Sequence, residues 1–170
     1  TDRSRGLGDV YKRQDYAHPC QVLADLMTIR ERKARLEGLK MCFIGDGNNM
    51  VNSLIVGCLK VGMEVSVACP EGYDPHPDVL AFAREAGHGF SLVRDPLEAA
   101  AGDDVCAVMM ELVQGEGGVL PMDRDFVRAL AGLCEQRDWL LLVDEVQTGI
   151  GRTGTLFAFQ QYGIRPDAVS

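Results

Sequence analysis

The spacing of apolar residues divides the first half of the chain into one long helix and a β-α-β unit. Helical spacing begins at His18, with Pro19 suited to the first turn and Gly38 closing the helix. Short apolar runs at 41–44 and 64–69 predict buried strands, and helical spacing over 50–60 predicts the helix between them. The apolar positions assigned to the first helix are Val22, Leu23, Leu26, Met27, Ile29 and Leu36.

The same pattern continues through the second half. Helices are predicted at 77–86, at 96–101 and from the N-cap Asp123 to about Gln136, with strands at 90–93, 105–110 and 139–143. Strands alternating with helices predict an α/β fold with mainly parallel strands, beginning with a Rossmann-like β-α-β piece. In such folds ligands bind at the carboxyl ends of the strands.

Composition narrows the classes of partner. The chain has 170 residues and a net charge of −8, and its basic residues form no run, which argues against nucleic acid or an anionic membrane as partner. Its six cysteines form no C-x-x-C pair, so we expect neither a metal site nor disulfides, and a cytoplasmic protein. Residues 1–14 show no apolar period and are predicted to be a foreign or disordered leader.

Two places in the first half carry candidate chemistry. His18 and Gln21 lie at the amino end of the first helix, where free backbone N–H groups also converge on an anion or a carbonyl. The turn after the first strand reads GDGNN, which is not a dinucleotide-binding G-x-G-x-x-G. Its amides suit a zwitterionic amino acid, although Asn48 has an equal claim to be the cap of the following helix.

These motifs together resemble those of the ornithine carbamoyltransferase family. HPCQ-x-LADL, F-I-GDGNN and A-C-PEGY occur in the family's order between Asp15 and Arg94. The resemblance implies that His18 and Gln21 contact carbamoyl phosphate and that Asn49 holds ornithine. The reaction it implies is attack of an amine on the carbamoyl carbon, driven by positioning and polarisation.

The second half has a different resemblance. Asp144 ends a buried strand, where a carboxylate is costly unless paired, so we expect a cation or a protonated ring beside it. E-x-V-QGEGGV and DEVQTG-x-GRTG resemble class III pyridoxal-phosphate aminotransferases, closest to acetylornithine aminotransferase, although Leu112 stands where that family has Pro. The resemblance implies pyridoxal phosphate as cofactor, held by Asp144 and Gln147, and N-acetylornithine as substrate near Glu116.

We therefore interpret the chain as a chimaera with a leader (1–14), a carbamoyltransferase fragment (15–97), a seam (98–104) and a fragment of an aminotransferase large domain (105–170). Its parent families are homo-oligomers. Neither the carbamoyltransferase motifs S-T-R-T-R, D-x-x-x-SMG and HCLP nor any lysine after Lys60 occurs in the sequence, so we expect incomplete active sites.

Three functions stay open: a carbamoyltransferase fragment, an aminotransferase fragment, or a non-catalytic chimaera that arose as an assembly artefact. Sequencing single unbroken DNA molecules across codons 95–110 tests whether the join is present in the source DNA.

Overall fold

A six-stranded parallel sheet organises the protein. The computed structural model describes residues 16–87, 89–115 and 117–170, so the predicted leader lies outside the described residues. The strands lie in the order β3-β2-β1-β4-β7-β8, and a separate short hairpin pairs β5 with β6. The strands are β1 (Lys40–Ile44), β2 (Glu64–Ala68), β3 (Phe90–Val93), β4 (Val105–Glu111), β5 (Val113–Gln114), β6 (Leu120–Pro121), β7 (Leu140–Asp144) and β8 (Ala168–Val169).

Helices cover both faces of this sheet, as parallel strands require. They are α1 (Pro19–Lys33), α2 (Asn49–Lys60), α3 (Pro77–Glu85), α4 (Pro96–Ala99), α5 (Arg124–Arg137) and α6 (Phe159–Tyr162). The predicted α/β fold, with a Rossmann-like β-α-β piece at its start, is confirmed.

β4 is the strand that joins the two halves of the chain. All seven of its residues are buried, and it pairs with β1 on one side and β7 on the other. From Ala107 to Met110 its side chains point alternately to two cores: Met109 packs with the helices of the first half, and Met110 with α4 and α5. The order of strands reverses at β1 and β4, and a crevice at such a point is the usual ligand site of an open α/β sheet.

The first helix differs from the prediction at its end and on its surface. It ends at Lys33, where Ala34 takes a left-handed conformation (φ 64°) and donates its N–H to Arg30 O, so Gly38 is not its terminator. The buried stripe is Val22, Leu26 and Ile29, spaced four and three residues apart. Leu23 and Met27 form the neighbouring stripe and are exposed by 66% and 62%.

The pattern of apolar residues did not predict the shortest elements. The β5–β6 hairpin and β8 have only two residues per strand, and α6 has a single turn. Each exists because of tertiary contacts. β8 adds its two residues to the edge strand β7, and the hydroxyl of Tyr162 in α6 donates to the carbonyls of Leu112 and Met122.

Candidate binding site at the carboxyl edge of the sheet

The turn after β1 holds the amide side chains at the sheet edge. Asn48 is the N-cap of α2: its Oδ1 accepts from the backbone N–H groups of Met50 (3.0 Å) and Val51 (3.2 Å). Its Nδ2 donates to Glu111 Oε1 at 2.8 Å, across the predicted seam. The capping interpretation of Asn48 is thus confirmed, and the same side chain ties the first half to the second.

Two carboxylates lie side by side beyond this turn. Glu111 ends β4 and Asp144 ends β7, and the two residues are register partners in the parallel pair. Glu111 is 9% exposed, and its Oε2 also accepts from the backbone N–H of Gly115 at 3.1 Å. Burial raises the pKa of Glu111 and the charge of Asp144 adds to this effect, while the Gly115 N–H and the Asn48 amide work in the opposite direction.

The partner of Asp144 is an amide from the other half of the chain. Gln21, in the first turn of α1, donates its Nε2 to Asp144 Oδ2 at 2.8 Å and also contacts Ser170 Oγ at 2.8 Å. Asp144 Oδ1 accepts from the backbone N–H of Val146 at 3.0 Å. Gln21 is therefore the side chain that faces Asp144 in the described part of the chain, and the cation or protonated ring expected there stays a prediction.

His18 contributes a ring nitrogen that has no partner. Its backbone N–H donates to Ser53 Oγ at 2.7 Å, which fixes the start of α1 against α2. The side chain makes no capping hydrogen bond, and Nδ1 is buried without a hydrogen-bond partner in the structure. Such a nitrogen beside a pocket is available to a ligand.

These groups surround one pocket of about 240 Å³. Five residues singled out in the sequence line it, although they come from both halves of the chain: His18, Gln21, Asn49, Asp144 and Gln147. The remaining lining residues are Asn48, Met50, Glu111 and Val146. Glu116 falls outside the described residues, so its predicted place near a substrate stays a prediction.

Two loops from different halves interlock beside the pocket. The side chain of Gln114 accepts the backbone N–H of Asp46 at 3.0 Å. A Cβ atom built on Gly117 would lie 1.8 Å from Asp46 Oδ2, so a larger residue at this position would require the Asp46 side chain to move. The GDGNN turn and the loop that follows β5 therefore hold each other in place.

The sequence reading did not single out Asp25 or Glu145. Asp25, in α1, is 8% exposed and its Oδ2 has no hydrogen-bond partner in the structure. Burial raises its pKa to about 7, and the charge of Asp144 makes a smaller contribution in the same direction. Glu145 is 2% exposed and accepts the backbone N–H groups of Ala158 (3.0 Å) and Phe159 (2.8 Å), so it supports the start of α6 rather than the pocket.

A larger cavity lies elsewhere and contains none of the predicted site residues. It has a volume of about 930 Å³ and lies beside α5, β7 and the segment before β8, with Arg128 and Trp139 among its walls. Over the described ranges no group of three or more His, Cys, Asp or Glu side chains is placed to hold a metal ion. No helix in those ranges is long and apolar enough to cross a bilayer.

Two protein families match different and overlapping parts of the chain. The family described as Aspartate/ornithine carbamoyltransferase, Asp/Orn binding domain, matches residues 37–115. The family described as Aminotransferase class-III matches residues 93–170. The two ranges share 93–115, which contains the predicted seam at 98–104 and the whole of β4; the exact position of the seam stays a prediction.

Ornithine carbamoyltransferases are among the known proteins similar to about half of this chain. Ornithine carbamoyltransferases from Gloeobacter violaceus and Methanocaldococcus jannaschii are 54% and 51% identical over 92 and 96 residues, covering 52% and 54% of this chain. The chain spans only 29% and 32% of the length of these two relatives.

Solved structures of both kinds superimpose on the fold. The Gloeobacter violaceus ornithine carbamoyltransferase has a TM-score of 0.61 and 39% identity, over 76% of this chain and 45% of that one. An N-acetylornithine aminotransferase from Stenotrophomonas maltophilia has a TM-score of 0.55 and 30% identity, over 89% of this chain and 33% of that one. The chain thus joins a segment similar to the ornithine-binding domain of carbamoyltransferases to a segment similar to class III aminotransferases.

Proposed function

We propose that the chain binds ornithine, or an amine closely similar to it, in the pocket shared by its two halves, and that it carries out neither parent reaction. The observation that carries this proposal is the convergence of Asn49 with Glu111 and Asp144 on one pocket. Asn49 is the residue that the carbamoyltransferase resemblance assigns to ornithine. The two carboxylates provide acceptors for an ammonium group of the ligand.

Carbamoyl transfer is not supported by the composition of the pocket. Carbamoyl phosphate carries an anionic phosphate, which proteins hold with arginine or lysine side chains. Among the described lining residues there is no arginine or lysine, while Glu111 and Asp144 repel an anion. The amide of Gln21, which the resemblance assigns to carbamoyl phosphate, is already bonded to Asp144.

Pyridoxal phosphate does not fit the described residues either. The second-half resemblance assigns the cofactor to Asp144 and Gln147, yet Asp144 Oδ2 accepts from Gln21. A covalent link to this cofactor needs a lysine, and none of the described pocket residues is one. Lys33 pairs with Asp138, Lys40 begins β1 and Lys60 ends α2, so all three lie away from the sheet edge that forms the pocket.

Isothermal titration of the purified chain with L-ornithine tests the proposal. The unchanged chain is expected to bind, and Asn49→Ala is expected to weaken binding about tenfold, the effect of losing one or two good hydrogen bonds. Gln136→Ala, the same kind of change on the exposed surface of α5, serves as the matched control.

Two activity measurements complete this test. Ornithine with carbamoyl phosphate is expected to give no citrulline, and added pyridoxal phosphate is expected to keep the absorbance spectrum of the free cofactor. Failure of ornithine to bind, or formation of citrulline, would contradict the proposal.

A further inference from the structure

The charges around the pocket are unbalanced. Glu111 and Asp144 are neighbours at the ends of β4 and β7, and the other polar lining groups are the amides of residues 21, 48, 49 and 147 and the imidazole of His18. No lysine or arginine of the described chain lines the pocket. A ligand therefore meets two acceptor carboxylates and no side chain with a fixed positive charge.

A third carboxyl, that of Asp25, is buried in α1 and does not line the pocket. Asp25 lies one turn along α1 from Gln21, is 8% exposed, and has an oxygen without a hydrogen-bond partner in the structure. It is close enough to Asp144 for the charge of that residue to raise the pKa of Asp25. Asp25 therefore adds negative charge near Asp144 only as the pH rises through about 7, and it does not contribute to the imbalance below that pH.

The amino end of α1 is the nearest source of positive potential. A helix amino terminus is equivalent to about half a positive charge, and its effect falls off within the first turn. The carboxyl groups of Glu111 and Asp144 oppose it. The carboxylate of an amino acid would therefore be repelled in this pocket, whereas its ammonium groups would be attracted.

We propose that the pocket selects a small alkyl diammonium ligand over an amino acid of the same chain length, with one ammonium group replacing the Gln21 amide at Asp144 Oδ2. This inference rests on the proposed function, that the pocket binds an amine, and narrows the class of ligand. The Gln21 Nε2–Asp144 Oδ2 distance of 2.8 Å is that of an N–H donor to a carboxylate, so an ammonium donor takes the same place without moving Asp144. The remaining acceptor for the second ammonium is the Glu111 carboxylate, whose residue is the register partner of Asp144 on the adjacent strand.

Parallel titrations of the full chain with 1,4-diaminobutane and L-ornithine test this inference. The two ligands have the same carbon spacing between their amines and differ by the carboxylate. The diamine is expected to bind about tenfold more tightly, which corresponds to one charge-assisted contact. Equal binding, or tighter binding of ornithine, overturns the inference and leaves the proposed function standing; absence of binding by both ligands overturns the two together.

Substitutions of the two carboxylates test whether these groups bind the diamine. Asp144→Asn and Glu111→Gln are each expected to weaken diamine binding about tenfold. Asp103→Asn, which removes the same charge from a fully exposed side chain before β4, is expected to leave it unchanged. Equal losses in all three variants would mean that the diamine follows only the net charge of −8, and would overturn the inference.

Gln21→Ala separates binding from folding. This variant removes the amide that competes for Asp144, so diamine binding is expected to tighten about threefold, a gain that misfolding cannot produce. Weaker diamine binding by a variant with an unchanged circular dichroism spectrum would show that Gln21 holds the ligand rather than competing with it, which overturns the proposed exchange.

Discussion

At the scale of single residues, the buried carboxyl of Asp25 has a strongly shifted pKa. Burial and the charge of Asp144 raise its pKa to about 7, from an ordinary value near 3.8. The folded chain therefore holds a proton on Asp25 over a pH range in which the unfolded chain has lost it. The stabilisation that this proton provides is complete below about pH 3.8 and is lost as the pH rises through 7.

Asp25→Asn tests this account, because asparagine has the same shape and does not ionise. Each unit of pKa difference is worth about 1.4 kcal/mol, so the stability of the variant relative to the unchanged chain is expected to grow by about 3 kcal/mol between pH 5 and pH 8. Urea unfolding at the two pH values measures this difference in the free energy of unfolding, and Asp103→Asn serves as an exposed control. A difference that does not change with pH would mean that Asp25 is ionised throughout.

At the scale of elements, apolar runs predicted the central strands well because parallel strands are buried on both faces. β4 is the best example, since all seven of its residues are buried. The end of α1 was missed because Ala34, rather than a glycine, takes the left-handed conformation. The sequence also supplied five pocket residues, but it did not reveal that Glu111 and Asp144 are register partners, because strand pairing is decided by the whole sheet.

Asn48 is the N-cap that stabilises α2, and it also lines the pocket. Asn48→Ala removes the cap and leaves Glu111 without its amide donor, so the free energy of unfolding is expected to fall by about 2 kcal/mol. Asn48→Ser keeps a capping oxygen but cannot reach Glu111, and about half of the loss should be restored. Urea unfolding of the three chains gives both values. Equal stability of the Ala and Ser variants would show that the cap itself contributes little.

At the scale of the whole molecule, the two halves contribute strands to a single six-stranded sheet. The first half supplies β1, β2 and β3, and the second half supplies β4, β7 and β8, with β4 paired to β1. Side-chain bonds cross the join at Gln21–Asp144, Asn48–Glu111 and Asp46–Gln114. A cut at either side of β4 would expose the backbone of a neighbouring strand, so neither half has a complete sheet alone.

This sharing predicts that both halves unfold in one transition. Trp139, the single tryptophan, precedes β7 and reports on the second half by fluorescence, while the thiol of Cys58, fully buried in α2, reports on the first by its protection from labelling. Because loss of β4 removes the partner of both β1 and β7, the urea midpoints of the two signals are expected to coincide. Cys134, buried in α5, lies in the same half as Trp139. Its labelling midpoint therefore shows whether thiol labelling and tryptophan fluorescence give the same value for one half of the chain. A separation of about 0.5 M urea, equivalent to ~1 kcal/mol at usual slopes, would mean that the halves are independent units joined only by the chain.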